Sequence, residues 1–163
     1  MPFARIKVLM CHRHVGRRLR RWGKLSAPDW TLSPPNLFDI VTGFYPETKP
    51  VAGTPALRPC LVTHVYQDTE SGGFACEIAY GTTHLKSVTR RDKDIIIQNS
   101  SHLDEVGLPM ATRFDLDLDC RIVLEWSQKN FKPWSNRRTP RIGQLTIFYQ
   151  KEYVWLMAMR SAT

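Results

Sequence analysis

The chain has 163 residues, of which 42% are hydrophobic and 23% charged, and its formal net charge is +8. This length suits one globular domain, which buries about two thirds of the surface that its unfolded chain exposes. We expect no transmembrane protein, because no stretch reaches the ~20 apolar residues that span a bilayer. The N-terminus also lacks the apolar segment of a secretory signal peptide, so we expect a cytoplasmic protein with no membrane partner.

The four cysteines are scattered along the chain and form none of the close pairs typical of zinc knuckles or redox motifs. We interpret them as buried thiols. Residues 11–14 read Cys-His-Arg-His, which has the composition of a metal-binding segment. A tetrahedral zinc site needs a second ligand cluster, and the sequence that follows provides none. We therefore expect neither a metal nor another cofactor.

The positive charge is concentrated near the N-terminus. Residues 1–35 hold eight basic side chains and one acid, Asp29, whereas the remaining 128 residues hold 15 basic and 14 acidic groups. We predict that residues 1–35 form a basic arm and linker and that residues 36–163 form the folded domain. The arm has apolar residues at helical spacing. It is interpreted as a nucleic-acid clamp, a mitochondrial-type targeting segment or a solvated extension, and the sequence leaves these three open.

From residue 37 onward, short apolar runs bounded by turn residues predict a β-rich domain. We predict a long loop at 46–55, and a hairpin at 67–73 whose two glycines permit positive φ angles. The regular spacing, without crossover helices, favours a barrel or sandwich over a doubly wound sheet. The predicted strands are 37–44, 57–66, 74–80, 94–98, 108–116 and 120–126.

The C-terminal segment predicts a helix that ends near Arg160. Thr139 and Pro140 suit the N-cap and the first helical position. The β-branched and aromatic residues of 146–149 also permit a strand there. One face of the predicted helix carries apolar residues at helical spacing, namely Ile142, Leu145, Tyr149, Leu156 and Met159.

Four sequence elements, in this order, resemble the MazF/PemK family of toxin endoribonucleases. Residues 37–41 read Leu-Phe-Asp-Ile-Val, and a loop rich in proline and glycine leads to Arg-Pro-Cys-Leu-Val at 58–62. Residues 77–83 read Glu-Ile-Ala-Tyr-Gly-Thr-Thr, and residues 112–115 read Thr-Arg-Phe-Asp. The resemblance covers about residues 36–160 and does not extend to the arm.

The resemblance implies a mainly β fold with a C-terminal helix, specifically an SH3-like barrel, preceded by a basic N-terminal extension. It implies a homodimer that cleaves single-stranded RNA without a metal, by attack of a ribose 2′-hydroxyl on the adjacent phosphate. It also implies an acidic antitoxin protein as a partner, which would cover the RNA groove and the loop at 46–55.

The same resemblance implies catalytic roles for Arg58 and for Thr82 or Thr83. The planar guanidinium of Arg58 suits a phosphate with developing negative charge, and a threonine hydroxyl can donate to the same phosphate. Adjacent strand residues point to opposite faces, so the sequence leaves open which threonine is used. His64 and His84 are the candidate bases, because imidazole titrates near neutrality. The predicted RNA-binding residues are Lys49, Arg113, Asp115, Trp134 and Arg137.

Each of these residues also has a plain structural interpretation. Arg58 would then be a surface charge, the two threonines turn residues, and Arg113 with Asp115 a neutral pair on one strand face. The corresponding functions are a non-catalytic nucleic-acid-binding module or a protein-interaction domain on the same barrel.

Overall fold

The computed structural model describes residues 29–44, 57–69, 71–85, 93–134 and 136–161. The helices and strands, numbered in chain order, are β1 (Asp39–Phe44), β2 (Leu57–Gln67), β3 (Phe74–Thr82), β4 (Ile95–Ile97), α1 (Ser100–Val106), β5 (Thr112–Phe114), β6 (Arg121–Glu125), β7 (Arg141–Gln144) and α2 (Ile147–Ser161). Two 3-10 turns lie at Trp30–Leu32 and Leu118–Cys120. The prediction of a mainly β domain with a C-terminal helix is confirmed.

The strands form an antiparallel sheet in the order β4-β5-β3-β2-β1-β7, and β6 pairs with β3 beside this path. Residues 75–79 of β3 pair with β6, whereas Gly81 and Thr82 pair with β5. Two different strands therefore follow β3 along the same edge, and the sheet curls into a half-barrel. The predicted hairpin between β2 and β3 is confirmed, with Gly72 at a positive φ of 69°.

The sheet has a hydrophobic core on each face. Neighbouring residues such as Ile40 and Val41 belong to opposite cores, because successive strand side chains point to opposite faces. One core lies between the sheet and α2, where Tyr149 and Leu156 are buried. The other contains the thiols of Cys60 and Cys76. Both thiols are buried and free, and burial raises the pKa of each to about 12. The interpretation of all four cysteines as buried is wrong for Cys120, which is half-buried, and Cys11 lies outside the described residues.

Residues 29–35, the last part of the predicted linker, pack against the second core. The Trp30 ring lies 4.9 Å from the Trp126 ring, measured between centroids. The Nε1–H of Trp126 donates to the carbonyls of Trp30 and Ser33 at 3.2 and 3.1 Å. These residues therefore belong to the folded unit. Residues 1–28 of the predicted arm lie outside the described residues.

The structure corrects two predictions near the C-terminus. The predicted helix start at Thr139 and Pro140 is wrong, because β7 follows these residues and α2 begins only at Ile147. The carbonyl of Pro140 accepts the N–H of Thr42 at 2.9 Å, so this segment is held to the sheet. The alternative strand at 146–149 is also wrong, since 147–149 form the first turn of α2.

Helix α1 was not predicted. Asn99 caps its start by accepting the N–H of Ser101, and Gly107 ends it with a φ of 74°. The predicted strand at 108–116 is reduced to Thr112–Phe114, because the chain must turn back from α1 before it joins the sheet. Within the described ranges, neither helix has the length and apolar character needed to cross a membrane.

Candidate functional site

A cavity of about 260 Å³ opens where β2 begins and β3 ends. The antiparallel register places Cys60 opposite Tyr80, so the start of one strand lies beside the end of the other. The cavity is lined by Leu57, Arg58, Pro59, Gly81, Thr82, Thr83, Pro109, Met110, Thr112 and Trp134. The structure thus brings together the three predicted catalytic residues and one predicted RNA-binding residue.

The Arg58 side chain is half-buried and lies over an aromatic ring. Its guanidinium carbon is 4.9 Å from the ring centroid of Tyr80. A guanidinium at this distance from an aromatic ring is attracted by the electrons of the ring. The Tyr80 ring therefore helps to hold the guanidinium of Arg58 beside the cavity.

The two threonines of the cavity differ in burial. Thr82 ends β3 and is 8% exposed, whereas Thr83 lies beyond the strand and is exposed. The Thr82 Oγ1 accepts the backbone N–H of His84 at 3.2 Å, which holds this hydroxyl in place. That bond uses the oxygen as acceptor and leaves the hydroxyl hydrogen for another partner. Thr82 is therefore the more rigidly placed donor.

Gly81 allows the two strands to approach closely at the cavity. A Cβ at this position would overlap the carbonyl oxygen of Pro59 and lie 3.1 Å from a ring atom of Phe114. Real Cβ atoms do not approach a backbone oxygen so closely, so a larger residue here would force the strands apart. The absence of a side chain at Gly81 thus positions Pro59, and with it the neighbouring Arg58.

A network of buried ion pairs joins β4, β5 and the end of α2. Arg113 lies 3.6 Å from Asp94 and 3.9 Å from Asp115. Arg160 lies 3.2 Å from Asp94 and 3.5 Å from Asp117. Arg113 and Asp115, predicted to bind RNA, are 9% and 8% exposed. Their side chains interact within this network, so their contribution to the cavity is to hold β5 in position behind it.

Burial is the main reason why the pKa of Asp94 is raised. The nearby charge of Asp115 raises it further, whereas the backbone N–H of Leu116 and the two arginines oppose the shift. The carboxylates of Asp94, Asp115 and Asp117 lie within 4.8 Å of one another. Because guanidinium groups contact these carboxylates, we assign the cluster to the stability of the fold.

The remaining predicted residues lie apart from one another. Arg137 is exposed and lines a second cleft, next to the cavity, with its Nη1 donating to the carbonyl of Ile142 at 3.1 Å. Phe131, an aromatic residue in the segment between β6 and β7, is fully buried beside Trp126 and therefore belongs to the core. Lys49 and the predicted loop at 46–55 lie outside the described residues.

Sequence reasoning missed the wall of the cavity formed by Pro109, Met110 and Thr112. Pro109 and Met110 belong to the connection between α1 and β5, Thr112 is the first residue of β5, and α1 itself was not predicted. A detectable signal was present, because Asn99 and Gly107 mark the two ends of a short helix.

No protein-family model matches this chain, and the comparison with curated proteins gives no match either. The likeness to the MazF/PemK family thus stays a resemblance of sequence elements, and the function is argued from the cavity.

Proposed function

We propose that the protein is a toxin-like endoribonuclease that cleaves single-stranded RNA without a metal. The observation that carries this proposal is the convergence of Arg58, Thr82 and Thr83 on one cavity. These three residues were selected from their likeness to a ribonuclease family, and they come from two strands. The curled sheet with its C-terminal helix also supports the proposal that the domain is an SH3-like barrel.

In the proposed reaction, a ribose 2′-hydroxyl attacks the adjacent phosphorus atom. The 2′-oxygen loses its proton and forms a bond to phosphorus, and the bond to the 5′-oxygen breaks. The leaving oxygen takes up a proton, so the products are a 2′,3′-cyclic phosphate and a free 5′-hydroxyl. Negative charge develops on the phosphate oxygens between these events, and donors aimed at that charge lower the barrier.

Arg58 has the chemistry required to stabilise that charge. The donors of a planar guanidinium match two phosphate oxygens, and the contact with Tyr80 helps to hold the group at the cavity. The hydroxyl of Thr82 donates from the opposite strand. Of the two candidate bases, His84 follows Thr83 directly, whereas His64 lies further back on β2 and contacts Tyr66. Neither histidine is among the residues that line the cavity, so both stay candidates for the proton-accepting role.

The experiment that tests this function is a cleavage assay on single-stranded RNA in the presence of EDTA. We expect Arg58→Ala to lower the rate by several orders of magnitude, on the scale of other donors to a developing oxyanion. Arg58→Lys should recover part of the rate, because a point charge does not hold two oxygens at once. The matched control is Arg138→Ala, which removes the same charge from an exposed site outside the cavity lining.

The second candidate function is a nucleic-acid-binding module without catalysis. The presence of Arg58 and Thr82 in the cavity lining and the strong positive charge of the chain suit phosphate binding by themselves. RNA binding that weakens with salt, without cleavage by the wild type, would support this alternative and refute the nuclease.

We also propose a homodimer, formed through α2. Five large apolar side chains lie on one face of this helix although they are 54–67% exposed, namely Ile147, Phe148, Val154, Trp155 and Met159. If two copies pack antiparallel about an axis near residue 153, Ile147 lies against Met159 of the second copy. Lys151 then lies against the Trp155 ring of the second copy, a favourable cation–π contact. The face is therefore complementary to itself.

The dimer should form at micromolar concentrations. Five such side chains bury on the order of 1,000 Å² in two copies, near the lower limit for stable interfaces. In sedimentation experiments, we expect twice the chain mass of 18.9 kDa for the wild type. Trp155→Ser should be monomeric, whereas Leu118→Ser, which changes a more exposed apolar residue outside α2, should not. A monomeric wild type at micromolar concentrations would refute the dimer.

An acidic antitoxin protein is the remaining proposed partner. Its acidic groups would pair with Arg58 and so block the cavity from RNA.

A further inference from the structure

A second cleft, of about 630 Å³, adjoins the cavity. Pro109 and Trp134 line both spaces, so they form the ridge between them. The opposite wall of the second cleft carries polar groups, with Asp104 from α1 and with Asn136 and Arg137 from the segment before β7. A chain that leaves the cavity across this ridge enters the second cleft directly.

We infer that the second cleft binds the nucleotide adjacent to the scissile phosphate, and that it selects the base of that nucleotide. This inference rests on the proposed function, because it needs RNA in the cavity. Trp134 is half-buried against the core, so its ring is a rigid wall on which a base can stack. Stacking of this kind tolerates every base, so selection must come from the polar groups.

Arg137 provides the positive charge of the second cleft. One of its N–H groups donates to the carbonyl of Ile142 at 3.1 Å, which ties the guanidinium to the start of the cleft wall. A guanidinium has five N–H donors, and this bond uses one of them. Arg58 in the cavity and Arg137 in the cleft thus supply one cation for each of two successive phosphates.

Asp104 provides the selectivity. Its carboxylate accepts hydrogen bonds and donates none, so it favours a base that presents an exocyclic amino group. Adenine, cytosine and guanine each have such a group, whereas uracil has only its ring N3–H as a donor, and this donor lies between two carbonyl oxygens that the carboxylate repels. The resulting repulsion disfavours uracil in the cleft. Asn136 can both donate and accept, so it accommodates any of the accepted bases.

A third cleft has a different character. It measures about 580 Å³ and lies at the other end of β3, where it is lined by Gly72, Trp126 and Glu125. The described lining of this cleft includes one acid and no basic side chain, so it does not match a phosphate backbone. The second cleft has a basic side chain, Arg137, beside its acid, Asp104, and it shares Pro109 and Trp134 with the cavity. These two features distinguish it as the path of the RNA.

The test uses short single-stranded oligoribonucleotides with a 2′-deoxy sugar at the cleavage position, which allows binding to be measured without cleavage. The base on each side of that position is varied in turn. We expect Arg137→Ala to weaken binding by tenfold or more at low salt, beyond the effect of Arg138→Ala. At one of the two varied positions, we expect wild type to bind the oligonucleotide with uracil at least fivefold more weakly than the oligonucleotides with adenine, cytosine or guanine. Asp104→Asn should abolish that difference.

The outcomes separate this inference from the proposed function. If cleavage depends on Arg58 but Arg137→Ala and Asp104→Asn behave like Arg138→Ala, the cleft does not bind the neighbouring nucleotide. If wild type shows no discrimination against uracil at either position, the role of Asp104 is refuted. If wild type binds no RNA, both the inference and the proposed function fail. Asp104, Arg137 and Arg138 are exposed, so matching thermal unfolding curves should show that the variants are folded.

Discussion

Replacing Gly81 by alanine tests whether close approach of two strands holds the candidate site together. The added methyl group would overlap the carbonyl oxygen of Pro59 and crowd the ring of Phe114. Neither group can swing aside, because one is backbone and the other is a fully buried side chain. The strands β2 and β3 must therefore separate at the point where Cys60 pairs with Tyr80.

These contacts give the expected loss in the free energy of unfolding of Gly81→Ala. Overpacking of a filled site costs about 1–3 kcal/mol, and the upper part of that range applies where rigid groups surround the methyl. Alanine also lowers the conformational entropy of the unfolded chain, which stabilises the folded state by about 0.4–1 kcal/mol. The net loss in the free energy of unfolding should be about 2 kcal/mol. For a chain of this length, that corresponds to a fall in Tm of about 4–8 °C.

Urea and thermal unfolding measure this loss directly. The matched control is Gly73→Ala, the same chemical change at an exposed hairpin position where a Cβ would meet only the Ser71 hydroxyl at 3.2 Å. We expect the control to stay within about 0.5 kcal/mol of wild type, as is usual for surface substitutions. RNA cleavage should fall in Gly81→Ala and not in the control, because a shift of Pro59 also moves the adjacent residue Arg58. Equal stability of Gly81→Ala and wild type would refute the reasoning.

Three further predictions concern the buried ion-pair network and the threonines of the cavity. Asp94→Ala should cost about 3 kcal/mol in urea unfolding, because it leaves Arg113 and Arg160 buried without a shared partner; a change under 0.5 kcal/mol would contradict this. Burial raises the pKa of Asp94, so the folded state binds the proton of this carboxyl more tightly than the unfolded chain does. The free energy of unfolding of wild type, relative to that of Asp94→Asn, should therefore be greatest below the ordinary Asp pKa and should decline as the pH rises through the folded pKa. If the two free energies stay parallel over this pH range, Asp94 does not titrate in this way. Thr82→Ala should lower the cleavage rate by tenfold or more and should cost more than Thr83→Ala, because Thr82 is buried and held by His84; equal rates for the two variants would remove that distinction.

The long central strands of the fold could be predicted from the sequence. Strands β2 and β3 span 11 and nine residues, which is enough for a clear pattern of apolar residues between turns. Strand β7 has four residues and helix α1 has seven, so each spans only about two periods of its pattern, too few to stand out from the neighbouring sequence. Pro140 misled the prediction because a proline before a strand and a proline at a helix start look alike in sequence.

The candidate site was predictable only in part, for a related reason. Arg58 and the two threonines flank one predicted hairpin, so local pairing is enough to bring them together. Pro109 and Met110 reach the cavity through tertiary packing of α1, which no local pattern reveals. Likewise, the spacing of Arg113 and Asp115 indicates a shared strand face, but Asp94 and Arg160 join them from distant elements.

The central claim is that the substrate's own 2′-hydroxyl cleaves the RNA in the cavity beside Arg58. The most direct measurement compares an oligoribonucleotide with the same strand carrying one 2′-deoxy sugar at the cleavage position, both incubated with the full-length protein and EDTA. The all-ribose strand should yield products with a 2′,3′-cyclic phosphate and a 5′-hydroxyl, and the deoxy strand should stay intact at that position. Cleavage of the deoxy strand at the same position, or a reaction that EDTA abolishes, would contradict the claim.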